Sequence, residues 1–449
     1  MKDDSSQFAT VDELRLGMFV HLEGGWLAHP FPLSNFKLTS PQQIATIRSL
    51  RLKRVRWSPA KSDLEAATGS FEPPPAEPGG VDARATTAAA AGPAPAATAA
   101  LLDALTATEL PELAVERQRR LALAEQREAV QHCQRQFSEA AGACKQVTDL
   151  IKSQPRQARE QSEALSRAFV DKMLAHEEVC IRLLGEVAGD KAAMHAINVT
   201  VLSLLLGKTF GLAEADMLDL GVGAVLHDMG KQDVPERLRH RDDHHSAAEV
   251  LVYQEHVAHG VATARRMGLS DGARHVIEQH HEHADGSGFP LRLGGDRMTL
   301  AARIVALVNR YDNLCNPNIP SRALTPHEAL SLLFAQGKSK FDTTILASFV
   351  KMMGVYPPGS AVQLTDERYA LVVSVNSSRP LKPRVLVHDP QVPSDEALLV
   401  DLEREAQLGI RRSVKPLALP REALDYLSPR PRVAYFFEPS RENVPEAAG

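Results

Sequence analysis

Two short stretches hold side chains that can do chemistry together. His227-Asp228 is followed by Lys231, and His280-His281-Glu282 runs on through His283 and Ala284 into Asp285-Gly286-Ser287-Gly288-Phe289-Pro290. Adjacent His and Asp at a helix end offer a neutral imidazole and a bridging carboxylate to one metal pair. Imidazole suits transition metals, and the carboxylate adds the negative charge that holds a divalent ion. Paired histidines at a helix end splay toward one cavity, and the glycines after them permit tight turns and close backbone approach to a ligand. Each stretch also has a plainer reading. Alone, a His-Asp pair is most often a polar helix end, and the second run reads equally well as a solvated His-rich loop.

The distribution of histidine favours the chemical reading. Of 17 histidines, ten lie between His227 and His283, where uniform scatter would leave about two. His195 and His256 stand on expected helices at useful positions. Each alone is more often a core or surface histidine, and His259 competes with His256 for a ligand role. His240, His244, His245 and His275 read as surface residues.

The elements that must hold these residues are mostly helical. Hydrophobic residues make up 44% of the 449 residues and aromatics only 5%, which leans toward helix. We read a small α+β unit over 8–65, with strands at Val11–Val20 and Val55–Trp57 and a helix at Pro41–Leu50. An Ala/Pro-rich linker over 66–100 cannot bury a core. A helical hairpin or coiled-coil-like connector follows over 101–189, polar enough to need a partner and so suited to a homodimer contact. A helical bundle spans 190–360, and a β-containing tail spans 361–449. The fold class expected is mainly α, with small β-containing units at both ends.

Bulk properties exclude several classes. A formal charge of -5 gives no reason to expect DNA or a membrane surface held by bulk charge. No run of 18 apolar residues suggests a membrane span. Cys133, Cys144, Cys180 and Cys315 form no close pair, which fits a reducing, cytoplasmic setting.

The order His195, His227-Asp228, His256, His280-His281 and an Asx at 309 resembles the HD-GYP family, a branch of the HD metal-dependent phosphohydrolases. Matching stretches are Met194–Leu202, Leu226–Lys231, His256 with Gly260, His280–Pro290 and Arg303–Asp312. Val11–Val20 with Gly17-Met18, Trp26, His29-Pro30-Phe31 and Phe36 are similar to a domain of unknown function that commonly precedes HD-GYP domains. That second resemblance implies no chemistry.

The first resemblance implies an HD-type helical bundle and a bacterial phosphodiesterase that cleaves cyclic di-GMP to pGpG or GMP. It implies two divalent ions, iron, manganese or zinc, on His195, His227, Asp228, His256, His280, His281 and the Asn309 position. Asp228 would bridge them, and Lys231 would sit against the scissile phosphate. Two such ions about 3.5–4 Å apart lower the pKa of a shared water and offset charge on the phosphate oxygens. Asp285, Gly286, Gly288, Phe289, Pro290 and Arg322 would hold the substrate, and GGDEF-type diguanylate cyclases are implied partners.

Four positions depart from the family pattern. Asn309 stands where a ligating Asp is usual, which removes one negative donor. Asp312, one helical turn on, reads as capping or solvating its helix. Lys191 stands where trinuclear members carry a Glu, so a third metal is not expected. Of the run that usually grips the nucleotide only Arg322 remains, and Phe289 replaces a tyrosine. These changes keep a second reading open: a weak or inactive domain that binds cyclic di-GMP or a protein partner.

Overall fold

The computed structural model describes residues 7–22, 35–49, 52, 54–63, 111–185, 190–240, 242, 244–337, 339–377 and 379–439. The linker expected over 66–100 and the Trp26 to Phe31 stretch lie outside these residues. The chain divides into two compact units, residues 1–21 with 35–125, and residues 22–34 with 126–449.

In the first unit, strands β1 (Gln7–Thr10), β2 (Phe19–His21), β3 (Asn35–Lys37) and β4 (Arg54–Ser58) form an antiparallel sheet in the order β1-β4-β2-β3. With helix α1 (Pro41–Ser49) they enclose the buried residues Val20, Leu38, Ile47 and Val55. The single strand expected across Val11–Val20 is divided. Glu13 Oε2 accepts the Thr10 N–H at 2.7 Å and turns the chain out of β1 into a 3-10 turn at Val11–Glu13. A local side-chain bond to the backbone outcompetes the ladder there.

The second unit is a helical bundle. Its helices are α2 (Pro111–Leu150, from residue 126 onward), α3 (Pro155–Leu174), α4 (Lys191–Thr209), α5 (Glu214–Leu226) and α6 (Ala247–Met267). These are followed by α7 (Asp271–Gln279), α8 (Leu300–Cys315), α9 (Pro326–Gln336) and α10 (Thr343–Met353). Helix α4 is apolar on every face and runs through the middle, as an all-round apolar helix must. It is long and apolar enough to cross a membrane, yet 72% of that stretch is buried inside the protein.

The stretch read as a helical hairpin or coiled-coil-like connector is, from residue 126 onward, built into this bundle. Phe137, Cys144 and Val147 of α2 and Leu165 and Phe169 of α3 share one core with Ile197, Leu204 and Leu220. The apolar stripe of these polar helices therefore finds its partner within the chain. The connector is also not helical to its end. Val179–Leu183, rich in β-branched residues, forms strand β5.

Strand β5 joins a sheet with the C-terminal segment. Strands β6 (Ala361–Leu364), β7 (Tyr369–Asn376), β8 (Arg384–Val387), β9 (Val400–Asp401), β10 (Ile410–Ser413) and β11 (Tyr435–Pro439) give the order β10-β6-β7-β5-β11, with β8 and β9 paired off β7. A buried ion pair, Arg182 Nε to Glu438 Oε2 at 2.7 Å, locks β5 to β11. Helix α11 (Arg421–Leu427) packs on this sheet, with Leu427 beside Leu371. The tail expected as a separate unit over 361–449 thus shares its sheet with residues 179–183.

A candidate metal centre shared by two histidine groups

Five helices deliver the site. His195 sits in the first turn of α4, whose start is set by Asp190 capping Ala192 N–H. His227 and Asp228 follow α5 directly. His256 lies in the middle of α6, which begins at a reciprocal Ser246–Glu249 capping pair. His280 and His281 follow α7, and Asp312 comes from α8. The expected ligands are thus placed by helix starts and ends that their own sequences specify.

They converge as two groups around one carboxylate. His195, His227 and Asp228 form one, and Asp228, His256, His280 and His281 form the other, with ligating atoms in each within 4.8 Å of one another. Asp228 Oδ2 lies 3.4 Å from His227 Nε2 and 3.6 Å from His195 Nε2. Its Oδ1 lies 3.7 Å from both His256 Nε2 and His280 Nε2. Each oxygen of the carboxylate therefore faces a different set of imidazoles.

The hydrogen bonds on the far side of these rings fix their tautomers. Nδ1 of His227, His256 and His280 donates to the carbonyls of Ala224, Tyr253 and Ile277 at 2.8, 2.6 and 2.8 Å. His195 Nδ1 donates to Asp312 Oδ2 at 2.6 Å. A carbonyl or ionised carboxylate only accepts, so each Nδ1 carries a proton, and in the neutral ring each Nε2 presents a lone pair. Those lone pairs face each other, His195 to His227 at 3.1 Å and His256 to His280 at 3.4 Å. Facing lone pairs repel unless a positive charge lies between them.

On the His256–His280 side, protonation of the rings is a poor remedy. Burial pushes His256 down to about 3, with the neighbouring His280 and Lys231 adding to burial and Asp228 opposing it. Burial likewise lowers His280 and lowers His281 well below the ordinary value. For Asp228 burial acts upward, but the ammonium of Lys231 beside it outweighs burial and holds the carboxyl well below its usual range. Asp228 Oδ1 is buried and accepts no hydrogen bond within the protein. Neutral imidazoles, an ionised carboxylate and an orphaned oxygen are the donor set that divalent cations require. The residues present fit a divalent metal centre.

Two glycines let the elements come this close. A Cβ on Gly230 would lie 2.0 Å from His256 O and 2.4 Å from Gly260 N, so the turn after Asp228 can lie this close to α6 only with glycine at position 230. A Cβ on Gly288 would lie 2.4 Å from Glu282 Cα and from His283 N. Glu282, fully buried, accepts from Leu291 N–H at 2.6 Å and Leu293 N–H at 2.9 Å. It folds the glycine-rich loop back on the helix end, so that Phe289 stacks on His281 with centroids 4.5 Å apart.

The centre lies between two cavities. The first, about 870 Å³, is lined by His280, His281, Phe289, Asn309, Arg310 and Lys340, among others. The second, about 700 Å³, holds His195, His227 and Asp228 in its wall, and Lys231 borders both. Lys231 Nζ donates to Asp228 Oδ2 at 2.6 Å and lies 5.8 Å from the Tyr253 ring centroid.

Not every expected residue reaches the cavities. Gly286, Gly288, Phe289 and Pro290 line the first one. Asp285 does not; it accepts Ser287 N–H at 2.9 Å and organises the turn. Arg322 lines neither cavity and lies 3.9 Å from Asp242 in an ion pair. Arg292, Arg310 and Lys340 supply positive charge to the first cavity instead. Asn309 is buried in its wall, and its Oδ1 accepts from Asn313 Nδ2 at 2.6 Å. Asp312, expected to cap or solvate its helix, has no exposed surface and binds His195, Asn198 and Asn316. One signal could have found it: an Asp inside an otherwise apolar helix face needs buried partners.

Residues 145–345 match the model of an HD domain, and residues 7–162 match that of a domain of unknown function, DUF3391. The chain is 28% identical over 417 residues to cyclic di-GMP phosphodiesterase PA4108 of Pseudomonas aeruginosa, covering 88% of this chain and 89% of that one. It is 32% identical over 163 residues to 3'3'-cGAMP-specific phosphodiesterase 2 of Vibrio cholerae, covering 36% of this chain and 31% of that one. It is also 32% identical over 141 residues to the cyclic di-GMP phosphodiesterase response regulator RpfG of Xanthomonas campestris pv. campestris, 31% of this chain and 37% of that one.

Proposed function

Because this chain carries an HD domain of the HD-GYP family behind a DUF3391 domain, we propose that it is a phosphodiesterase that hydrolyses cyclic di-GMP to pGpG or GMP. The observation that carries this reading is Asp228, one carboxylate shared by two groups of imidazoles between two cavities. Two divalent cations, iron, manganese or zinc, on His195, His227 and Asp228 and on Asp228, His256, His280 and His281 would polarise the phosphodiester and make water acidic enough to attack it.

The remaining residues bind and orient. Arg292, Arg310 and Lys340 draw an anionic dinucleotide into the first cavity. Phe289 and Tyr253 offer aromatic faces to a base there. Burial acts to lower Lys231, but Asp228 beside it raises its pKa above the ordinary value. Its ammonium therefore stays charged and can donate to a phosphate oxygen as negative charge grows. The reaction belongs in the cytoplasm, where diguanylate cyclases of the GGDEF type would supply the substrate.

A second reading has one observation in its favour. Asn309 is neutral, and its oxygen already accepts from Asn313, which suits a domain that binds the dinucleotide without cleaving it. The test is metal analysis joined to hydrolysis of cyclic di-GMP by the metal-loaded protein. We expect turnover, with loss of both metal and turnover in Asp228→Asn. Tight binding without cleavage, with cleavage gained in Asn309→Asp, would establish the second reading instead.

A further inference from the structure

The second cavity receives a side chain from far along the chain. Arg432 precedes β11 and is half-buried in the cavity wall that also holds His195, His227 and Asp228. Among the described residues it has no ion pair and no hydrogen-bond partner. The two carboxylates in that wall are already engaged. Asp190 caps the start of α4, and Asp228 pairs with Lys231. The cavity carries Lys191 and Arg239 as well, so its unmatched charge is positive.

The backbone that delivers Arg432 is held firmly. Val433 N–H donates to Asn316 Oδ1 at 2.9 Å, and Val433 O accepts from Asn198 Nδ2 at 3.0 Å and Asn316 Nδ2 at 2.9 Å. Tyr435 N–H donates to Asn198 Oδ1 at 2.9 Å. The same two asparagines donate to Asp312 Oδ1 at 2.8 and 2.9 Å, and Asp312 holds His195. One buried polar network therefore fixes both the residue next to Arg432 and a histidine of the metal centre. A guanidinium placed this way, without an acid beside it, is suited to a phosphate, whose oxygens match its planar fork.

We propose that Arg432 is a phosphate-binding residue, brought to the His195–His227 side of the centre by the C-terminal segment. It would grip a phosphate of the substrate or product there. The proposal rests on reading the chain as a phosphodiesterase, and its test separates the two.

Inorganic pyrophosphate is titrated calorimetrically into the metal-loaded full chain as wild type, Arg432→Gln, Arg432→Lys and Arg322→Gln, with metal content and melting temperature measured on each. Arg432→Gln is expected to weaken binding about tenfold, the scale of one charge-assisted hydrogen bond. Its metal content should be unchanged, Arg432→Lys should recover part of the loss, and Arg322→Gln should bind as wild type. Equal affinity in wild type and Arg432→Gln overturns the proposal. If the arginine effect is present but the wild type leaves cyclic di-GMP intact, the substrate reading fails and Arg432 keeps its role. If cyclic di-GMP is cleaved with the same KM by both, the assignment of Arg432 fails and the reading stands.

Discussion

Asp312 Oδ2 accepts the Nδ1–H of His195 at 2.6 Å from a carboxylate with no exposed surface. That bond sets the tautomer of the ring and makes its Nε2 a better donor to a cation. Asp312→Asn keeps the shape and removes the charge. The metal bound on the His195–His227 side is expected to weaken roughly 10–100-fold, measured by chelator competition, while the other group holds its ion. Unchanged competition would take Asp312 out of the metal centre.

Arg310, rather than Arg322, stands at the first cavity. Arg310 lines the first cavity, whereas Arg322 lines neither cavity and pairs with Asp242. Arg310→Ala is expected to raise KM for the dinucleotide on the order of tenfold, and Arg322→Ala to change it little. Steady-state kinetics on the two variants decide the matter, and the reverse pattern would restore Arg322.

Gly230 is a position where one methyl group should be felt. Its Cβ would sit 2.0 Å from the His256 carbonyl, so either the turn or α6 must shift. Gly230→Ala is expected to lose about 1–3 kcal/mol of stability, the cost typical of overpacking. Urea unfolding with and without metal reads this out. A midpoint equal to wild type would mean that the two backbones have room to separate.

Lys172 gives a pH dependence away from the metal. It is buried in α3, and burial pushes its ammonium down to about 8, against the opposing pull of Glu139. Between pH 8 and the unfolded value near 10.4 the unfolded chain binds more protons, so stability rises with pH through that window. Lys172→Met should therefore stabilise the protein at pH 7 by on the order of 1–3 kcal/mol. The gain should shrink as pH rises from about 8 to about 10. A gain constant across that range would assign it to packing alone.

The candidate ligand residues were legible because histidine carries its chemistry in its type, and the helical bundle read over 190–360 contains the helices α4, α5 and α6 that hold them. Asp312 was not legible. Its role arises from the packing of α4 against α8 and from two asparagines, which no local pattern records. Arg432 and Lys340 lie far in sequence from the motifs they stand beside. Strand β5 was not legible within the helical connector because it is short and defined by its neighbours in the sheet rather than by its own alternation.

The pairing of β5 with β11 places a condition on when the site can be finished. Arg182 and Glu438, which meet across those strands, are 256 residues apart. A chain emerging from the ribosome releases all the ligand histidines well before Val433 and Tyr435 appear. Until then Asn198 and Asn316 can still donate to Asp312, but they lack the Val433 and Tyr435 backbone that holds them in turn. Contacts of such long range close late and slowly. A nascent chain stalled near residue 430 would hold every candidate ligand but lack the strand that braces them, so this arrangement waits on the last part of the chain to be made.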